Sequence, residues 1–321
     1  MRIPDRLNGR GGHWLRALAP PALLLVLVAV VEIGAPGFVT PETLLVVLAD
    51  TAVLFILAAG VTFVILLGGI DLSIQAVASL ASVILAQLLP VIGLGAFPVA
   101  IAAGLLSGLA GGIVHVRLRV PSFVATLATG GVTAGLALLA AHGRAITIEA
   151  GGRETIAWMN AAPFGIPMIA IIAALIGLVC FVVLRYTAFG RHSIAIGAGE
   201  PAARAAGVDV GRTKVIAFTM SGTLAALAGA ILACRLSSGS PTLANQLLLP
   251  AIAAVIVGGT AITGGLGGIL RTAVGALIIS IVRIGMTFVG VNIFAEQMVF
   301  GAVLVLAVAV TIDRGKIAVI K

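Results

Sequence analysis

The sequence predicts an all-α polytopic membrane protein, a bundle of about ten transmembrane helices with both termini in the cytoplasm. Three observations point there. The 321-residue chain is 61% hydrophobic and only 9% charged, where a soluble domain carries roughly 25% charged residues. Its apolar residues gather in ten segments, near 17–35, 44–67, 72–89, 97–114, 121–141, 166–184, 214–234, 247–263, 269–289 and 295–312, each close to the ~20 residues that cross a bilayer as a helix. Glycine is abundant at 41 residues and aromatics are few, with 12 Phe, 2 Trp and 1 Tyr. Small residues let helix backbones approach in lipid, whereas a transmembrane barrel would alternate apolar and polar residues between aromatic girdles.

Basic residues orient the spans. Of the 19 Lys and Arg, only Arg144, Arg153 and Arg235 fall on the outer face of a ten-span arrangement, and Arg283 lies within a span. The rest lie in the tails, the 115–119 turn, the 185–213 loop with Lys214 at its end, and at Arg271, which places both termini inside. The net charge of +8 is thereby a topology signal rather than a nucleic-acid signal. Residues 1–16 read as a cytoplasmic tail, 17–312 as one transmembrane domain and 313–321 as a second cytoplasmic tail. The first apolar run reads as an uncleaved anchor, because Glu32-Ile33-Gly34-Ala35-Pro36 is a poor small-x-small cleavage site.

The second and third spans meet at "GGIDLS", residues 68–73. Gly68 and Gly69 allow the chain to reverse or unwind. Asp71 is then expected to cap the following helix, with Ser73 in its first turn, or else to act as a charged gate. In the fifth span Ser122 and Thr126 lie one turn apart. They face a pathway or bond to carbonyls of their own helix. Gly258 and Gly259, with the 264–268 glycine run, interrupt the eighth and ninth spans. Either they permit tight packing, or, since "VILLGGI" at 64–70 and "VIVGGT" at 255–260 are weakly alike, they mark an internal repeat around a central path. Arg283 is expected to snorkel or to pair with Glu296.

The inner loop 185–213 holds "GEPAARAAG". Pro201 suits a first helical position, the alanines around Arg204 are good helix formers, Gly207 suits a left-handed stop and Glu200 suits the positive helix end. Such a helix either bridges two spans or presents a small-residue knob to a partner's groove.

No energy source is encoded. A phosphate-cradling loop needs G-K-[ST], and the lysines Lys214, Lys316 and Lys321 lack that context. The four histidines and two cysteines show no metal spacing, and no G-x-S-x-G occurs. A self-contained enzyme is excluded on these grounds. An ion-coupled carrier would need intramembrane carboxylates, and apart from Asp71 these fall at span ends or in loops (Glu32, Glu42, Asp50, Glu296).

"TFVILLGGIDLS" (62–73), "VPSFVATLATG" (120–130), "TAFGRHSIAIGAGEPAARAAGVDVGRTK" (187–214), "SGTLAALAGAILACRLSSGSP" (221–241) and "AIAAVIVGGTAITGGLGGILRTAVGALI" (251–278) follow one another along the chain. Together they resemble the permease subunit of ribose-type sugar ABC importers, from about residue 40 onward. The resemblance implies a multi-pass protein of the bacterial inner membrane, surrounded by lipid. It implies pairing with a second permease copy or paralogue, a cytoplasmic ATPase that binds the ATP so that this chain needs no cofactor, and a periplasmic substrate-binding protein. It implies that 200–207 is the ATPase-coupling helix, with Glu200, Ala203, Arg204 and Gly207 as its marked residues. The path and gating candidates are Gly68, Gly69, Asp71, Ser73, Ser122, Thr126, Gly258 and Gly259. Where many members of the family carry an acidic pair, this chain has Leu248-Leu249-Pro250, which leaves the solute open among sugars, polyols and, in a sibling class, branched-chain amino acids or nucleosides. Scarce aromatics predict a weak, mostly apolar and hydroxyl-lined path, with solute selection in the binding protein.

Overall fold

The computed structural model describes residues 10–292 and 295–311, with side chains over 20–292 and 295–305. Most of the two predicted tails, 1–9 and 312–321, lies outside the described residues. The described chain is helical almost throughout, and every one of the ten apolar segments contains a helix: α1 (Arg10–Gly34), α2 (Pro41–Leu66), α3 (Ile74–Ile92), α4 (Ala96–Arg117), α5 (Ser122–Ala140), then, after a short α6 (Ala150–Ile156), α7 (Met168–Tyr186). Two inner-loop helices, α8 (Ala188–Ala198) and α9 (Glu200–Ala205), lead to α10 (Val210–Leu236), α11 (Leu248–Val257), α12 (Ile269–Phe288) and α13 (Glu296–Thr311). Among the described residues, six apolar helical stretches are long enough to cross a membrane, one of them the 44-residue run in which α3 and α4 follow each other through a single 3-10 turn.

Two boundaries differ from expectation. Helix α1 begins at Arg10, inside the stretch read as a tail. Helix α11 is only 10 residues long, about 15 Å, so the 247–263 segment is a half-length helix followed by turns. Its glycines explain this: Gly259, Gly264, Gly265 and Gly267 all take positive φ.

Helix α2 is the core. From Asp50 to Leu66 every residue is buried, as expected of a helix apolar on all sides. It is surrounded by α7, α10, α11 and α12. Helix α10 packs against α2, α3 and α4. Its contact with α4 is backbone to backbone. Gly104, Gly108 and Gly112 repeat at the four-residue spacing that lines one helix face. A Cβ at Gly108 would meet the Phe218 carbonyl and Gly222, and one at Gly222 would meet the Gly104 carbonyl and Gly108. In lipid such close approach replaces the hydrophobic effect as the source of helix cohesion. Threonines add cross-links, with Thr62 and Thr272 hydroxyls 2.7 Å apart between α2 and α12.

Large apolar side chains point outward on the peripheral helices, among them Leu25, Leu106, Val132, Leu139 and Val179, as a lipid-facing surface requires. At one end of the bundle a two-residue antiparallel ladder joins β1 (Ile146–Thr147) to β2 (Ser238–Gly239), tying the 142–165 loop to the end of α10.

Candidate functional site

The break between α2 and α3 is a hydrogen-bonded unit. Gly68 sits at φ +75, a left-handed conformation that glycine adopts without strain, and its N–H still bonds the Ile65 carbonyl at 2.8 Å. The next free donors are taken by α5. Ile70 N–H donates to Ser122 Oγ at 3.0 Å and Leu72 N–H to Thr126 Oγ1 at 3.1 Å. Thr126 itself donates back to the Ser122 carbonyl at 3.0 Å. Thr126 thus bonds to a carbonyl of its own helix, and both hydroxyls accept from the broken segment.

Asp71 is fully buried. Its Oδ1 accepts from the Ser73 N–H at 2.9 Å and from the Ser73 hydroxyl at 2.6 Å, and its Oδ2 accepts from the Ser221 hydroxyl of α10 at 2.7 Å. Asp71 is therefore not the helix cap. Ser73 occupies the cap position, with no side-chain capping bond of its own, and Asp71 stands two residues earlier. Gly130 of α5 packs closely against Ser73, where a Cβ would lie 3.1 Å from the Ser73 Cα.

The same end of the bundle gathers three glycine segments. Gly265 N–H donates to the Leu66 carbonyl at 2.9 Å, satisfying one of the carbonyls left open at the end of α2. A Cβ on Gly264 would lie 2.7 Å from Gly68 N, and one on Gly197 would strike the Leu66 carbonyl. So the α2 terminus, the end of α8 and the 258–268 turn touch through backbone. Gly68, Gly69, Asp71, Ser73, Ser122 and Thr126 are brought together, while Gly258 and Gly259 lie along α12, where the Gly259 carbonyl accepts from Arg271 at 3.2 Å. The sequence alone assigned no role to Ser221 or Gly197. Ser221 is one of several polar residues in α10, with Thr213, Thr219 and Thr223, and the sequence does not single it out.

The 185–213 loop folds as its punctuation dictates. Thr187 Oγ1 caps α8 through the Gly190 N–H, Pro201 stands in the first turn of α9, and Asp209 caps α10 through the Arg212 N–H. Gly207, at φ +83, ends α9 in the left-handed conformation. Glu200 bridges Arg204 and Lys214, each at 2.7 Å. The Lys214 hydrogen bond, then the Arg204 bond and both charges, hold its carboxyl below the usual glutamate range. Ala203 is buried against the chain, while Pro201, Ala202, Arg204, Ala205 and Ala206 are exposed. A recess of about 650 Å³ lies along Glu200, Pro201, Arg204 and Ala205.

Arg283 corrects one expectation. Its partner is Asp50 of α2 rather than Glu296, and Arg235 of α10 lies 3.5 Å from the same carboxylate oxygen. Charged groups inside an apolar bundle must find each other, and Asp50 is the carboxylate at the level of both arginines.

Comparison with known proteins places this geometry. Residues 43–308 match the sequence model of a family described as the permease component of the branched-chain amino acid transport system. The chain is 39% identical over 310 residues to the ribose import permease protein of Bacillus subtilis, covering 95% of this chain and 94% of that one. It is 35% identical over 301 residues to the ribose import permease protein of Escherichia coli K12, covering 92% and 94%. It is 31% identical over 308 residues to the L-arabinose ABC transporter permease protein of Azospirillum brasilense, covering 94% and 89%. With its long apolar helices and its match over most of its length, the chain is a multi-pass membrane protein that belongs to this family of ABC importer permeases.

Proposed function

We propose that the chain forms the translocation path of a sugar ABC importer, with a pentose or a closely related sugar as its solute. The observation that carries the solute class is near-full-length similarity to permeases named for ribose and L-arabinose. The family's description names branched-chain amino acids instead, which makes an amino acid the reading to test against.

In this proposal ten helices span a bacterial inner membrane with both termini inside. The distribution of arginines supports it. So does the clustering of the α2–α3 break, the end of α8 and the 258–268 turn at one end of the bundle, all on the predicted inner face. Two of the loops that fall on the predicted outer face, 142–165 and 235–246, pair with each other through β1 and β2. Two permease copies, or this chain and a paralogue, line the path. ATP is held by a separate ATPase, whose closure is passed through α9, and a binding protein delivers solute from outside. The exposed proline and alanines of α9 form the docking knob, with Ala203 as its foot in the bundle. The ATPase must bind nucleotide differently in the two permease states for such rocking to occur. The gating candidates at the glycine break would move as a unit, because the backbone of three segments meets there.

The test is uptake into proteoliposomes holding the permease, its ATPase and its binding protein, with labelled D-ribose, L-arabinose and L-leucine. Sugar uptake that stops without ATP or without the binding protein is expected. Leucine uptake alone, or sugar uptake driven by an ion gradient without ATP, would overturn the proposal.

A further inference from the structure

A second polar site lies at the other end of α2. Asp50 stands 16 residues before Leu66 on one helix, about 24 Å away along its axis. Here α2, α10, α12 and the turn that follows β2 enclose a cavity of about 630 Å³, within the roughly 300–1,000 Å³ of small-molecule sites. Its polar lining is Asp50, Arg235, Arg283, Thr242, Asn245 and Gln246. The Asp50 side chain is only 9% exposed. One of its oxygens binds both arginines, while the other, Oδ2, is buried without a hydrogen-bond partner. A buried carboxylate oxygen left unpaired costs the full desolvation of that atom, so the structure holds an acceptor in reserve. Glu296 is also buried and lies within electrostatic reach of Asp50 and Arg283. Glu296 is not in the lining itself, but with it counted the formal charges of Asp50, Glu296, Arg235 and Arg283 sum to zero.

We propose that this cavity is a binding vestibule for a neutral polyhydroxylated solute. A hydroxyl donates to Asp50 Oδ2, and neighbouring hydroxyls accept from the arginines and from the Asn245 or Gln246 amide. Neutrality of the cluster favours an uncharged solute over a sugar acid or sugar phosphate. Open amide and hydroxyl groups at the rim suit several ring oxygens at once. The assignment rests on the sugar-importer reading, which puts this end of the bundle on the side where the binding protein releases its cargo. It differs from the mostly apolar path expected of the sequence, because the polar groups converge from three helices and a turn.

The experiment uses the complete reconstituted importer and a panel of labelled D-ribose, L-arabinose, D-xylose and D-ribonate. Asn245→Cys introduces an exposed thiol, while Cys180 and Cys234 are buried. Labelling Asn245→Cys from outside with a bulky, membrane-impermeant maleimide is expected to lower neutral-sugar uptake about tenfold or more relative to the unlabelled variant. Asp50→Asn is expected to lower it by a similar factor, through loss of a hydrogen bond to a charged acceptor. Gln246→Ala, outside the ion pairs, guards against a folding defect and is expected to raise KM with kcat retained. Uptake by the labelled protein equal to that of the unlabelled protein, or faster uptake of ribonate than of any neutral sugar, overturns the vestibule alone. A wild-type importer that carries no sugar on the panel removes the sugar reading and the vestibule with it.

Discussion

Ser221 of α10 donates a 2.7 Å hydrogen bond to Asp71, a residue 150 positions earlier in the chain and fully buried. This bond holds the α2–α3 break against the helix that emerges directly from the inner loop. Any motion passed along α10 from α9 thus has a polar contact at the glycine break.

Removing the carboxylate should cost more than removing its charge. Asp71→Ala strands the Ser73 N–H, the Ser73 hydroxyl and the Ser221 hydroxyl, at about 1–3 kcal/mol for each donor left unsatisfied. Asp71→Asn keeps one acceptor for Ser73, and the Ser221 hydroxyl can turn to accept from the new amide. Thermal unfolding of the detergent-purified protein is expected to rank wild type above Asn and Asn above Ala. An Asn variant as unstable as Ala would show that charge, not hydrogen bonding, is what the site needs.

Ser122 and Thr126 serve the same break from α5. Ser122→Ala leaves the Ile70 N–H unpaired and Thr126→Val the Leu72 N–H, each at about 1–3 kcal/mol. Hydrogen exchange checks this directly: the Ile70 and Leu72 amides should exchange faster in the respective variants, while α3 amides past its first turn stay protected.

The α4–α10 seam has no room for a methyl group. Gly108→Ala places its Cβ against the Phe218 carbonyl, and overpacking of this kind costs about 1–3 kcal/mol. Gly131→Ala, on α5 with open space around it, is the control and should be neutral or slightly stabilising. Melting temperatures of the two variants should diverge. Equal values would mean that the seam yields.

Acid should loosen the inner loop. The Glu200 carboxyl is held below its ordinary value by Lys214 and Arg204. A depressed folded-state pKa adds stability that is fully present above the unfolded value of about 4.3 and is lost as pH falls through the folded value. The pair is partly exposed, so the effect is small and salt-sensitive. Protection of residues 200–207 from hydrogen exchange, corrected for intrinsic rate, should drop below about pH 4 in the wild type. Glu200→Gln should abolish that pH dependence.

Much of this architecture was legible because bilayer length and apolar runs are the same signal. Every expected segment contains a helix, and α9 starts and stops where Pro201 and Gly207 put it. The eighth segment was misread in length because its glycine run is as apolar as a helix, and hydropathy does not distinguish the two. The partner of Arg283 was not legible either. Asp50 and Glu296 are both carboxylates near span ends, and only the packing of α2 against α12 decides between them. Asp71 was found by its charge, but its role depends on Ser221, which nothing near it in sequence announces.

In the proposed importer, ATPase closure must reach the permease through α9. The most direct measurement is ATP hydrolysis by the reconstituted importer with and without its solute-loaded binding protein, in wild type and in Arg204→Glu. Arg204 is 68% exposed in its side chain, so the swap leaves the bundle core untouched. Loss of the binding-protein stimulation, with the complex still assembled and its basal hydrolysis unchanged, is the predicted result. Full stimulation in the Arg204→Glu importer would contradict the claim.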